Sequence, residues 1–270
     1  MDSSGDPRPA FSTTIAALAA DPRLALEAAS TLGIRGAQLS GRQRGTRAKD
    51  LDGSGRRDLA AAARRLELQL TGIDFWIKGD ELLDPSTVDR GVGELIATVR
   101  LAADLGGLPV SVRLPDAIEV SLVEAVLAAA ERVGVDVVDH AAPPRGGTGR
   151  RVETSTNHGG LVVPGAIEKN LVESGVAGLE SLLVGIDPPA WSMANLDVLE
   201  GAGRGIASLR LADLSADGMR VPVGGPERRF DPRALLAVAR TGGFEGMPII
   251  DARRWTDVPA GIASTVHACG

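Results

Sequence analysis

The chain has 270 residues, 44% of them hydrophobic, with a formal net charge of −6 and a sequence pI of about 5.2. That length supports one large core or two small ones, and the acidic balance argues against a basic, nucleic-acid-embracing surface. Aromatic residues are only 3% and tyrosine is absent, so the interleaved rings of a base-stacking platform are missing too.

The first expected strand lies near "AFSTTIA". "PRLALEAASTLG" follows, with apolar residues at helical spacing and a stop at Gly33, a natural C-cap, before the strand "IRGAQLS" (Ile34 to Ser40). The basic, glycine-rich stretch 41–55 reads as a surface loop, "RRDLAAAARRLEL" as an amphipathic helix and "LTGIDFW" (Leu70 to Trp76) as a strand. "VDRGVGELIATVRLAADLGG" is a helix closed by glycines and "LPVSVRLP" a strand ending at Pro115. The helix "SLVEAVLAAAERVG" leads to the strand "VDVVDH". Residues 141–164 carry no apolar periodicity and are too long for an ordinary connection, so they are expected to form a surface loop, either a functional lid or a disordered segment. "SLLVGID", "IASLRLAD" and "MPIID" complete the strands. Between the last two, "FDPRALLAVARTGG" is a helix with Asp231 as N-cap and Pro232 in its first turn.

These are about eight strand–helix units, and most strand runs are Val/Ile/Leu-rich without clean alternation, as parallel strands covered on both faces should be. The expectation is a single-domain (β/α)₈ TIM barrel over 1–270, with a doubly wound open sheet as the alternative; no G-x-G-x-x-G follows the first strand. The opening "MDSSGDPRPA" lacks a basic n-region and an apolar h-region, and no apolar run reaches membrane-spanning length. The lone cysteine, Cys269, has no internal disulfide partner, which fits a reducing compartment. A cytoplasmic protein with no membrane and no nucleic-acid partner is expected, and a homo-oligomer is compatible with the sequence.

In such barrels the active site lies at the C-terminal strand ends. Those ends present Gln38 and Ser40, Asp74 and Trp76, Arg113, Asp139 and His140, Asp187, Arg210 and Asp213, and finally Asp251 with Arg253. Because Asp139 and His140 are adjacent, one faces the barrel and the other packs outward. Asp139 is expected inside, with His140 at the mouth as an acid/base candidate. Arg113, Arg210 and Arg253 favour an anionic ligand. Trp76, Trp191 and Trp255 each follow a strand end, where a ring could wall a ligand. His158 lies in the long loop and His267 in the last helical stretch.

The late segments read "RLAD" (Arg210 to Asp213), "VGGPERRFDP", "GFEG" (Gly243 to Gly246) and "PIID". In order and spacing they resemble the H-x-K-D strand, Gly-rich loop, G-[YF]-x-G turn and Glu-terminated strand of the xylose-isomerase-like barrels. The early "LGIRGAQLS" is similar to that family's G-[FY]-x-G-[IV]-E-L segment, with Gln38 in the Glu place. The family contains sugar phosphate isomerases and epimerases, and also a class of abasic-site endonucleases. The resemblance implies a divalent metal (Mn, Mg or Zn) held by Glu, Asp, His and Glu, polarising a carbonyl while carboxylates move protons. Carried over, the first Glu falls on Asp139. The Asp of a D-x-x-H element falls on Pro189 by spacing, with Ser192 in the His place and Asp187 nearby. The His falls on Arg210 and the last Glu on Asp251. The residual metal candidates are therefore Asp139, Asp187 and Asp251. An arginine offers no lone pair to a metal, so at this place it would fill the cationic centre itself.

Two functions are implied. One is a sugar or sugar phosphate isomerase/epimerase, with Asp139, Asp251, Arg210 and His140 in catalysis and Arg113, Asp187, Trp76 and Arg253 holding substrate. The other is a catalytically silent barrel that binds a small anionic ligand or serves as a scaffold. A phosphodiester-cleaving role, which in that family uses several metals and many histidines, fits poorly with 3 histidines.

Overall fold

The computed structural model describes residues 10–141, 181–190, 206–225 and 229–270. Eight parallel strands close into a barrel: β1 (Ser12–Thr14), β2 (Gly36–Ser40), β3 (Gln69–Asp74), β4 (Val110–Val112), β5 (Val137–Asp139), β6 (Leu182–Ile186), β7 (Ile206–Leu211) and β10 (Ile249–Ile250). β10 pairs with both β7 and β1, so no edge is left open. Seven lie within the runs expected from the sequence, and β3 starts one residue before its run, at Gln69. Between β7 and β10 a two-stranded antiparallel ribbon intervenes, β8 (Asp213–Leu214) with β9 (Arg220–Val221), where the sequence reading had only a loop.

Six helices flank the barrel among the described residues: α1 (Pro22–Thr31), α2 (Gly53–Arg65), α3 (Val88–Asp104), α4 (Val120–Glu131), α5 (Pro232–Thr241) and α6 (Val258–Cys269). α2 starts inside the stretch expected to be loop, because the Asp52 carboxylate accepts from the Gly55 N–H at 2.7 Å and caps the helix there. Apart from Ala141, the 141–164 segment with His158 lies outside the described residues, as do Trp191 and Ser192. No described helix is long and apolar enough to cross a membrane.

Asp231 caps α5 as its sequence position implies, accepting from the Arg233 N–H at 2.9 Å and the Ala234 N–H at 3.4 Å. Asp231→Ala is expected to cost about 1 kcal/mol, read as a lower urea midpoint with an unchanged slope.

The core lies between strands and helices, where Ile73, Val110, Val112, Val137, Ile186, Leu209 and Leu211 are buried. The barrel lumen is polar, unlike the branched aliphatic filling usual for this architecture. Gln38 Nε2 donates to Ser111 Oγ at 3.2 Å, His140 Nε2 lies 3.3 Å from the same oxygen, and Arg210 is fully buried.

Candidate functional site

Strand alternation decides which strand-end groups meet. On β3, Ile73 packs outward, which turns Asp74 inward. On β7, Leu209 and Leu211 face the helices while Arg210 enters the lumen. Asp187 and Asp251 immediately follow β6 and β10, and both are fully buried.

These groups form one network. Arg210 Nη1 donates to Asp251 Oδ2 at 3.3 Å, and its Nη2 lies 4.0 Å from Asp74 Oδ1. Arg253 donates from Nε to Asp251 Oδ1 at 2.6 Å and from Nη2 to Asp251 Oδ2, and its Nη1 lies 3.5 Å from Asp74 Oδ2. Arg220 bridges the remaining pair: Nη1 reaches both Asp187 Oδ1 and Asp251 Oδ2 at 3.0 Å, and Nη2 donates to Asp187 Oδ2. Three arginines thus face three aspartates. Asp251 touches all three guanidiniums. Burial alone would raise its pKa, but Arg253, Arg210 and Arg220 outweigh that and hold it far below the usual carboxylate range.

Of the residues expected at the site, Asp187, Arg210, Asp251, Arg253 and Trp76 come together. Arg253 stacks on the Trp76 ring with its guanidinium carbon 3.8 Å from the centroid, so one face of that ring already carries a cation. Trp255 is buried in the core, packed against Gly261, and is no wall for a ligand.

Asp139 and His140 are arranged opposite to expectation. Val137 is buried among the outer core residues, so Val138 and His140 turn inward and Asp139 turns away. The Asp139 carboxylate accepts from the Leu114 N–H at 3.1 Å and the Ala141 N–H at 3.0 Å. His140 is fully buried over Gly185, where a Cβ would come within 2.4 Å of the imidazole, so only glycine leaves the ring its space. Burial first, then Arg210 and Arg253, push the His140 pKa well below its ordinary value, against weaker support from Asp251 and the Ile186 backbone.

Asp74 takes the place expected for Asp139. Arg220 was not singled out at all, although the Asp217-Gly218 pair between Leu214 and Met219 is a hairpin signal. The ribbon turns at Gly218 (φ +80), the Ser215 N–H donates to the Met219 carbonyl at 2.9 Å, and the return strand brings Arg220 back over the barrel end. Asp213 serves this loop, accepting from the Leu214 and Arg229 N–H groups at 2.8 and 3.0 Å.

Above the network lies a cavity of about 340 Å³ lined by Trp76, Arg113, Met219, Arg220, Arg253 and Arg254, with Pro189, Ala190, Leu214 and Gly218 completing the described wall. Arg113 and Arg254 are exposed and have no ion-pair partner among the described residues. Arg254 adopts φ +67, uncommon for a residue with a Cβ, in the turn after β10.

No family model matches the sequence, and no curated protein does. Solved structures do match. A xylose isomerase domain protein from Planctomyces limnophilus superposes with a TM-score of 0.64 at 15% identity, over 96% of this chain and 94% of its own. The chain has the xylose isomerase-like barrel fold. D-psicose 3-epimerase from Clostridium cellulolyticum H10, solved with D-tagatose, gives 0.63 at 12% identity over 96% and 95% of the two chains. A xylose isomerase-like TIM barrel protein from Mycobacterium smegmatis in complex with magnesium gives 0.59 at 11% over 98% of each. At such identities the likeness is one of fold.

The magnesium-bound neighbour raises the question of whether this xylose isomerase-like barrel could hold an ion. The side chains described at the strand ends do not fit one. Among the described residues no group of three or more His, Cys, Asp or Glu is arranged to hold a metal. Both Asp187 and Asp251 are engaged by guanidiniums, and Arg210 stands among them. The buried atoms without a hydrogen-bond partner are of both kinds, acceptors Asp74 Oδ1 and Gln38 Oε1 and donors Arg210 Nε and Nη2. A metal takes only lone pairs and would leave those donors unmet.

Proposed function

We propose that the cavity binds a small polyhydroxylated anion, a sugar phosphate or sugar acid, and that the barrel acts by binding rather than by proton transfer. The observation that carries this reading is the division of labour among the arginines. Among the described residues, Asp74, Asp187 and Asp251 are each engaged by a guanidinium below, while Arg113 and Arg254 on the cavity wall above have no ion-pair partner. The volume suits a ligand of sugar size. Two guanidiniums lining one cavity favour phosphate or carboxylate over a neutral sugar. Trp76 and the apolar Met219 supply the non-polar side of the wall.

Isomerase chemistry would need a carboxylate that takes and returns a proton beside a carbonyl. Asp251, first choice for that role, is locked ionised by three arginines, and Asp139 is committed to two backbone amides. His140 is sealed under the network. None of the three presents a proton-accepting atom to the cavity.

Calorimetric titration of sugar monophosphates and aldonates, against the neutral parent sugars, tests the reading. The anions should bind at least tenfold more tightly. Arg113→Ala and Arg254→Ala should each weaken them by about tenfold, as expected for loss of a charge-assisted hydrogen bond, without lowering the thermal midpoint. Equal binding of neutral sugars would refute the anion site. Deuterium uptake from solvent at the carbon next to a ligand carbonyl would instead establish proton transfer.

A further inference from the structure

We propose that Arg210 does in this barrel the work of a bound divalent ion: it is a built-in cation that gathers the strand-end carboxylates, so the site assembles and stays assembled without metal. The inference rests on the packing of Arg210 and is independent of which ligand enters the cavity above.

Arg210 is the largest fully buried side chain among the described residues, and its register partner on β10 is Ile249, two residues before Asp251. A guanidinium this deep is tolerated only with compensating charge, because desolvation of an isolated ion is severe. Burial and Arg253 depress its proton affinity, while Asp74, Asp251 and Asp187 oppose them. Those three carboxylates come from the ends of β3, β6 and β10, strands that are not neighbours in the barrel. Barrel closure and strand alternation bring them to one mouth, and a shared positive centre offsets their mutual repulsion there. A metal would provide it by coordination; here it comes from N–H donation to Asp251 and an ion pair to Asp74. Arg220 and Arg253 then complete the arrangement, since each holds two of the three carboxylates and also reaches the cavity wall. Arg210 has no exposed surface and does not line the cavity. It is a positioning residue.

A dication added at this centre would meet three guanidiniums already on the carboxylates. Its attraction to Asp187 and Asp251 would be offset by repulsion from Arg210, Arg220 and Arg253 at similar range. The structure therefore excludes metal from the place where the fold would put it.

The test has two arms on the full chain. In the first, protein purified without chelator from metal-supplemented medium is analysed for metal, and its thermal midpoint is compared with EDTA and with added Mn²⁺, Mg²⁺ or Zn²⁺. No stoichiometric metal and no movement of the midpoint are expected, because an ion bound only to the native state would raise it. One equivalent of metal, or a midpoint that falls with EDTA, overturns the proposal even if the anion binds. In the second arm, Arg210→Met should lower the midpoint by about 10 °C. The double variant Arg210→Met/Asp251→Asn should recover part of that loss, and Arg210→Lys should lose less than the methionine. Recovery on removing the opposing charge is a readout that simple loss of packing does not give. A methionine variant as stable as the parent, or no recovery in the double variant, overturns the proposal. Should the methionine variant fail to fold, the lysine variant and the metal measurement decide. Failure of sugar phosphates to bind, with metal absent and recovery seen, removes only the ligand reading.

Discussion

Asp251→Ala is expected to destabilise the protein by about 3–5 kcal/mol, the largest effect of any single change at the site. The side chain is fully buried and meets Arg210 at 3.3 Å, Arg220 at 3.0 Å and Arg253 Nε at 2.6 Å. Removing it leaves Arg210 buried with Asp74, at 4.0 Å, as its one paired carboxylate among the described residues, and leaves three like charges around an unscreened space. Loss of one partner of a buried pair costs more than the pair's net contribution, because the other charge remains desolvated. Arg35 and Glu67 supply an internal contrast: they lie 3.4 Å apart with 63% and 83% of their side chains exposed. Glu67→Gln should produce no measurable change, because water and salt already screen that pair. Chemical denaturation of both variants against the parent makes the comparison. A loss of less than about 1 kcal/mol for Asp251→Ala would mean the network relaxes into water and holds nothing together.

The contrast between those two pairs also marks how far the sequence could be read. The barrel was legible because its signals are local: buried parallel strands are Val/Ile/Leu runs, and Asp231-Pro232 announces a helix start wherever it occurs. Each strand-end residue could be named for the same reason, and Arg210, Asp187, Asp251 and Arg253 do meet. The facing of Asp139 and His140 was not legible. "VDVVDH" has valines on both faces of a strand covered on both sides, so hydrophobicity carries no parity. Only the packing of Val137 among the outer core residues sets which neighbour turns inward. Arg220 was hidden differently. It reaches Asp187, 33 positions away, through a ribbon whose partner strand is two residues long. Asp74 was visible as a strand end, but its role depends on Arg253 arriving from the other end of the chain, 3.5 Å from its carboxylate.

His140→Gln is expected to flatten the acid side of the stability profile. In the folded protein the imidazole is fully buried, with Nε2 3.3 Å from Ser111 Oγ, and burial, Arg210 and Arg253 hold its pKa well below the ordinary value of 6.5. Asp251 and the Ile186 backbone pull the other way and lose. The unfolded chain therefore binds a proton at pH values where the native protein does not. Stability rises with pH wherever the unfolded state carries more protons, so this group leaves stability level above about pH 6.5 and reduces it as the pH falls below that. One proton sets the limiting slope at about 1.4 kcal/mol per pH unit. Asp251, held far below the usual carboxylate range, adds its own loss only lower, as pH enters the range where unfolded aspartates protonate, about 4. The glutamine variant lacks the histidine's contribution while keeping a polar group beside Ser111. The measurement is the urea midpoint at half-unit steps from neutral pH to about 5 for parent and variant. His158 and His267 are common to both and cancel in the difference. Parallel profiles would show that His140 takes up its proton in the folded barrel, which a ring sealed beside two arginines should not do.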